Sequence, residues 1–193
     1  IREGFTRDRF VGLLEKMLYE IYDHHASLNT NTEYSRKLVP TGADIWASFI
    51  DGKPVIQELR KGFGAESCGI KPGMEIVSVN EVEVNEAIRA FLPISSARVD
   101  NEAKSFALRL LLAGDHITPR KISVRVNGQV KDFFPDKNGF LTDHINYPSM
   151  IETKQFGRTG YIKINNCLYD NALIPVFDSV MQTMNQTTGL IID

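Results

Sequence analysis

The chain has 193 residues, a formal net charge of −2, 42% hydrophobic residues and 24% charged ones. So balanced a charge leaves no electrostatic footprint for nucleic acid, and no apolar run approaches the ~18 residues that a membrane span needs. The length is about a third more than a single-domain prior of ~150 residues, and the apolar content suffices for a core or two.

Phe10, Leu13, Leu14, Met17, Leu18 and Ile21 recur on one helical face. They predict an amphipathic helix that buries this stripe and ends near Tyr22. Thr6 is its N-cap, with Asp8 in the first turn. The polar stretch 23–32 follows as a loop. Ile45 to Ile50 is rich in strand formers, Asp51-Gly52 is a hairpin turn, and Val55-Ile56 starts the return strand. Ala65 to Cys68 fits one helical turn stopped by Gly69. Met74 to Asn80 alternates as a strand, continued by Val82 and Val84 after a turn. Asn85 then caps a short helix that runs to Leu92 and stops at Pro93. Ala103, Phe106, Ala107, Leu110 and Leu111 mark a second amphipathic helix closed by Gly114. Lys121–Val126 and Gln129–Phe134 form a hairpin on Asn127-Gly128.

Two prolines, a glycine and several Asp and Asn make 135–149 a linker, and with the next domain starting at 160 the connecting stretch is 135–159. The end of the chain reads as strand, helix, strand. Gly160 to Asn165 is the first strand. Pro175 suits the first helical position, and Val176, Phe177, Val180, Met181 and Met184 share a face. Leu190-Ile191-Ile192 is apolar without alternation, as in a strand buried on both faces of a parallel sheet. The chain starts at Ile1 rather than Met and stops in an apolar strand, so both ends are expected to be cut. Cys68 and Cys167 have no spacing that suggests a disulfide and read as buried thiols.

Glu66-Ser67-Cys68-Gly69-Ile70-Lys71-Pro72-Gly73-Met74-Glu75-Ile76-Val77-Ser78-Val79-Asn80 resembles the helix, Gly-Ile-Lys-Pro-Gly loop and strand of protease PDZ domains. Met74 stands where an acidic residue is usual. Glu81 stands where a turn glycine is usual, which predicts a different turn type. The flanks sharpen the likeness. Gly160-Tyr161-Ile162-Lys163-Ile164, a helix and Gly189-Leu190-Ile191-Ile192-Asp193 resemble the opening of the C-terminal-processing serine peptidase core. The stretch from His25 to Trp46 looks like the tricorn-core-like bacterial exported branch of that family.

The resemblance implies an α+β protein with a helical cap (1–38), a PDZ-like β-barrel module with two helices (39–134) and the opening β-α-β of an α/β core (160–193). It implies a periplasmic or secreted serine peptidase that takes a polypeptide substrate or protein C-terminus and needs no cofactor. The nucleophile lies beyond Asp193 on this reading, so the chain alone is expected to be inactive. A relative that binds peptide or ligand without cleaving is the alternative.

His24 and His25 sit just past a helix end, where imidazole meets the macrodipole and free carbonyls; that is a structural role. The resemblance gives His25 a second one, general base for the missing serine. Other branches use a Ser-Lys dyad, and the residues present do not choose between them. A metal site from Asp23, His24 and His25 is disfavoured, since adjacent histidines point apart and no second ligand cluster follows. The peptide-binding loop of the family falls on Gly42, Ala43, Asp44, Ile45 and Trp46. Asp44 is awkward there, because its charge repels a terminal carboxylate; either the site prefers internal segments or Asp44 points away. Trp46 either lines the groove or fills the core, and its size favours the core.

Overall fold

The computed structural model describes residues 6–28, 31–95, 99–139, 149–165 and 170–193. The chain divides into two compact units, Ile1–Asp143 and His144–Asp193.

The first unit opens with helix α1 (Arg7–Tyr19), whose N-cap Thr6 accepts the Arg9 N–H at 3.3 Å. The buried side of α1 differs from the predicted stripe. Phe10, Leu13, Met17 and Ile21 are exposed, and Val11 is buried. Aromatic packing sets the rotation. Tyr19 meets Phe91 and Phe106 edge-on, each at 6.3 Å, and Tyr22 lies 6.1 Å from Phe106.

A sheet follows, built from β1 (Ile45–Ile50), β2 (Lys53–Leu59), β3 (Glu75–Val79), β4 (Val82–Glu83), β5 (Ile122–Val126) and β6 (Gln129–Phe133). Its order is β1-β2-β3-β5-β6, with β4 beside β3 and every pair antiparallel. Helix α2 (Gly64–Ser67) precedes β3, and α3 (Val84–Ala87) runs into a 3₁₀ turn, Ile88–Phe91. Helix α4 (Asn101–Ala113) covers the sheet: Phe106, Ala107, Leu108 and Leu112 join Ile45, Ala47, Ile56, Ile76, Ile122 and Val124 in one core. Alternation accounts for this, since β1 buries Ile45, Ala47 and Phe49 in turn.

The hairpin turns follow the sequence. Asp51-Gly52 (φ 49° and 77°) and Asn127-Gly128 (φ 50° and 80°) are left-handed pairs that match strand twist. The turn at Asn80-Glu81 corrects the expectation of a different type. Both residues are left-handed (φ 48° and 69°) and Val79 still pairs with Val82. A glutamate there is strained, and its link to Lys121 (3.3 Å) is a surface pair of small value. Glu81→Gly is therefore expected to raise stability by about 0.5–1 kcal/mol, read as a higher urea midpoint; a lower midpoint would show that the ion pair dominates. The cap of α3 is also corrected. Glu83, not Asn85, accepts the Glu86 N–H (3.1 Å), and the Asn85 amide itself donates to Glu83 (2.8 Å).

The second unit contains β7 (Ile151–Phe156), β8 (Thr159–Ile164), α5 (Leu173–Thr183) and β9 (Gly189–Ile192). The β8-α5-β9 unit is parallel, as its sequence predicts, and β7 pairs antiparallel with β8. Strand β7 lies inside the stretch read as a linker, 135–159. Only Ile151 in it is buried, so no alternation announces it; it is held by pairing along the β8 edge. Pro175 is the third residue of α5 rather than the first. An N–H within the first turn has no intrahelical partner, so the proline costs nothing there either. Cys167 lies outside the described residues, and Cys68 is a half-buried free thiol.

Candidate functional site

The polar stretch after α1 carries both histidines, and they have opposite surroundings. His25 is 95% exposed, and its Nδ1 meets Asp23 Oδ1 at 2.9 Å. The same carboxylate oxygen accepts the His25 backbone N–H at 2.8 Å. This Asx-type turn aims the carboxylate at the ring, and the two contacts hold the Asp23 carboxyl below its ordinary range, the backbone N–H contributing most. In the neutral ring Nδ1 then carries the proton and Nε2 is left as an outward-facing acceptor. The pair has the form of a base and its orienting carboxylate.

His24 turns inward. It stacks on Phe106 (4.5 Å) and meets Trp46 edge-on (5.8 Å). Burial, then the nearby Arg109 cation, pulls its pKa down to about 4. An unfolded histidine titrates near 6.5. Between pH 6.5 and 4 the unfolded chain therefore binds a proton that the folded chain refuses, and stability falls over that window. Discounted for the ring's partial exposure, the loss is ~1–2 kcal/mol. His24→Phe should lack this component, so its urea midpoint at pH 5 should have dropped less from its pH 7 value than that of the parent. Equal drops would refute the assignment.

The loop from Gly42 to Trp46 is held by its own contacts. Gly42 N–H donates to Leu38 C=O (2.6 Å), and Arg60 donates to Pro40 C=O (2.6 Å) and to Thr41 C=O. Ala43 is buried with Val39 and Ala113, and Ile45 belongs to the main core. Asp44 points away from the loop surface. Its Oδ1 meets Arg120 Nη1 at 2.7 Å, its Oδ2 accepts the Ala65 N–H at 3.0 Å, and Arg120 Nη2 also meets Asp136 Oδ1 at 2.6 Å. All three side chains are about 5% exposed or less. Burial pulls the Arg120 guanidinium down, but hydrogen bonds to Asp136 and Asp44 outweigh it and raise its pKa. Asp44 is thus a structural anchor of the strand that follows it.

That strand is an edge. Ile56 gives its N–H to Met74 C=O (3.0 Å) and its C=O accepts from Gly73 (2.7 Å) on the β3 side. Ala47 lies opposite Ile56 and Phe49 opposite Pro54, so the polar groups of Ala47 and Phe49 face away from β2. Trp46 is half-buried, with the Arg109 guanidinium 3.9 Å above its ring. Arg109 Nε donates to Ala47 C=O (3.1 Å), and one of its terminal nitrogens donates to Ser48 Oγ (2.9 Å). The Phe49 N–H donates to Ser105 Oγ (2.9 Å).

Asp23, Ser105, Arg109, Arg120 and Asp136 are missing from the sequence-based site. Asp23 was legible as an Asx residue two before a histidine. Ser105 and Arg109 interrupt an apolar helix face at i, i+4 spacing. Arg120 and Asp136 left no local sign.

No family model matches the chain, and no curated protein matches it. Among solved structures, it is similar to a photosystem II D1 C-terminal processing protease, at 16% identity and a TM-score of 0.43 over 97% of this chain and 50% of that one. It is similar also to mature CPAF in complex with lactacystin, at 14% identity and a TM-score of 0.47 over 100% of this chain and 47% of that one. The chain spans about half the length of each.

Proposed function

We propose that the chain is the recognition part of a C-terminal-processing serine peptidase of the exported type, with a PDZ-like module and one residue of the catalytic machinery. The observation that carries this reading is the Asp23–His25 pair: an exposed imidazole whose Nδ1 is held by a carboxylate at 2.9 Å. His25 Nε2 takes the proton of a serine hydroxyl as that oxygen attacks the peptide carbonyl, then returns it to the leaving amine. Asp23 fixes the ring's tautomer and supports the imidazolium that forms. The serine and its oxyanion hole come from the rest of the protein.

The PDZ-like assignment rests on the Gly69–Gly73 loop entering β3, and on an edge strand β1 flanked by α4. An extended peptide adds to such an edge through main-chain hydrogen bonds. Of the five loop residues, Trp46 is the one left with its ring toward this edge. Gly42, Ala43, Asp44 and Ile45 position it.

The test is His25→Ala in the full-length protein, assayed on an unfolded polypeptide such as casein. Turnover should fall by ~10²-fold or more, with Asp23→Asn reducing it less. Unchanged turnover in His25→Ala removes the residue from the mechanism and leaves a Ser-Lys dyad. A full-length protein that cleaves nothing but binds peptides is a non-catalytic binder.

A further inference from the structure

The edge of β1 offers four main-chain groups to an added strand, the N–H and C=O of Ala47 and of Phe49. Two already have partners from α4. Ser105 Oγ accepts from Phe49 N–H at 2.9 Å, and Arg109 Nε donates to Ala47 C=O at 3.1 Å. Ser105 and Arg109 are four residues apart and so share the helix face that lies along the strand. A hydroxyl oxygen and a guanidinium N–H occupy the places of a peptide's own carbonyl and amide.

Arg109 is also a cation among neutral partners. It touches Ala47 C=O, Ser48 Oγ, the Trp46 ring and, at 3.5 Å, His24 Nε2, and among the described residues it forms no ion pair. Burial lowers its pKa, and the Glu102 carboxylate, which is not in contact with it, offsets this only in part. A carboxylate brought to this edge would gain a bidentate, charge-assisted pair and draw the guanidinium off the Ala47 carbonyl. Arg109 acts at Ala47 and Ser48, in the middle of β1. The matching carboxylate is therefore a side chain within an extended segment rather than a chain terminus, which would lie at the Gly42–Ile45 end.

The geometry points to a latched groove: Ser105 and Arg109 cap the β1 edge, and the segment that opens it is an extended internal peptide carrying Asp or Glu opposite Arg109. This rests on the PDZ-like reading and names the substrate class of that site.

The test uses the 193-residue chain and three fluorescein-labelled decapeptides of alternating Thr and Val. One has a central Glu and an amidated end, one a central Gln and an amidated end, one a central Gln and a free C-terminal carboxylate. Anisotropy measures binding, and the emission of Trp46, the only tryptophan, reports movement of Arg109. The parent should bind the Glu peptide at least ~10-fold tighter than both Gln peptides, about 1.4 kcal/mol, with a shift in Trp46 emission. Arg109→Gln should abolish that preference, and Arg109→Lys should keep part of it. Ser105→Ala, which frees the Phe49 N–H and leaves Arg109 in place, should strengthen binding of the neutral amide several-fold. Equal binding of all three peptides by the parent, or a preference unchanged in Arg109→Gln, overturns the latch and leaves strand addition standing. A preference for the free carboxylate overturns the choice of an internal segment. No binding by the parent or by any folded variant overturns the PDZ-like reading and the latch with it.

Discussion

Arg120→Ala is expected to lower the stability of the first unit by about 3–5 kcal/mol. The guanidinium is 5% exposed and holds two carboxylates that are equally buried. It also donates to the Leu112 carbonyl at the end of α4 (2.7 Å), and its own backbone N–H donates to Asp136 (2.8 Å). Alanine leaves Asp44 and Asp136 without the guanidinium that hydrogen-bonds both, with only the nearby Lys37 ammonium to offset two buried charges, which is the costly way to break a buried ion network. Replacing all three charges (Arg120→Met with Asp44→Asn and Asp136→Asn) should recover much of the loss, because the desolvation cost goes with them. Burial raises the Asp136 pKa, but contact with Arg120 outweighs it and holds the carboxyl below its ordinary value. The contribution of Asp136 is thus present above the unfolded carboxylate range near 4 and is lost as pH falls through its lower folded pKa. Arg120→Ala should therefore weaken the protein most at neutral pH and less in acid. Urea unfolding followed by Trp46 emission measures both; a midpoint at pH 7 within error of the parent would refute the role of the network.

Gly64→Ala is expected to cost about 3 kcal/mol through the same network. A methyl group at Gly64 would stand 2.0 Å from the Pro135 carbonyl oxygen and 2.9 Å from its carbon. Those are backbone atoms, so the strain cannot be relieved by a rotamer change, and overpacking alone costs ~1–3 kcal/mol. The segment that must retreat carries Asp136, one residue on, and takes it from Arg120. The two variants share one consequence, so the double variant should lose less than the sum of the singles. Strict additivity would show that Pro135 moves without disturbing the ion network.

The local elements were legible because their causes are local. Asp51-Gly52 and Asn127-Gly128 set two hairpins by their left-handed preference. The apolar run of α4 and the strand, helix, strand pattern at 160–193 report secondary structure through their periods. His25 was reachable through the resemblance of its surroundings, and Asp23 stands in the same tripeptide.

Contacts between distant segments were not legible. Asp44 and Arg120 are 76 residues apart and Arg109 and Ala47 are 62; neither pairing has a period or a turn to announce it. The same holds for α1, where helix and cap follow from sequence but the buried face was decided by Tyr19 and Tyr22 meeting Phe106. Strand β7 shows one buried residue and owes its existence to pairing with β8. The sequence by itself determined the hairpin turns, the helices and every described strand except β7, because those energies lie within a few residues. Only the tertiary structure decided that Asp44 is an anchor, that Arg109 lies across the β1 edge and that His24 turns inward onto Phe106, because each depends on a partner the chain brings from far away.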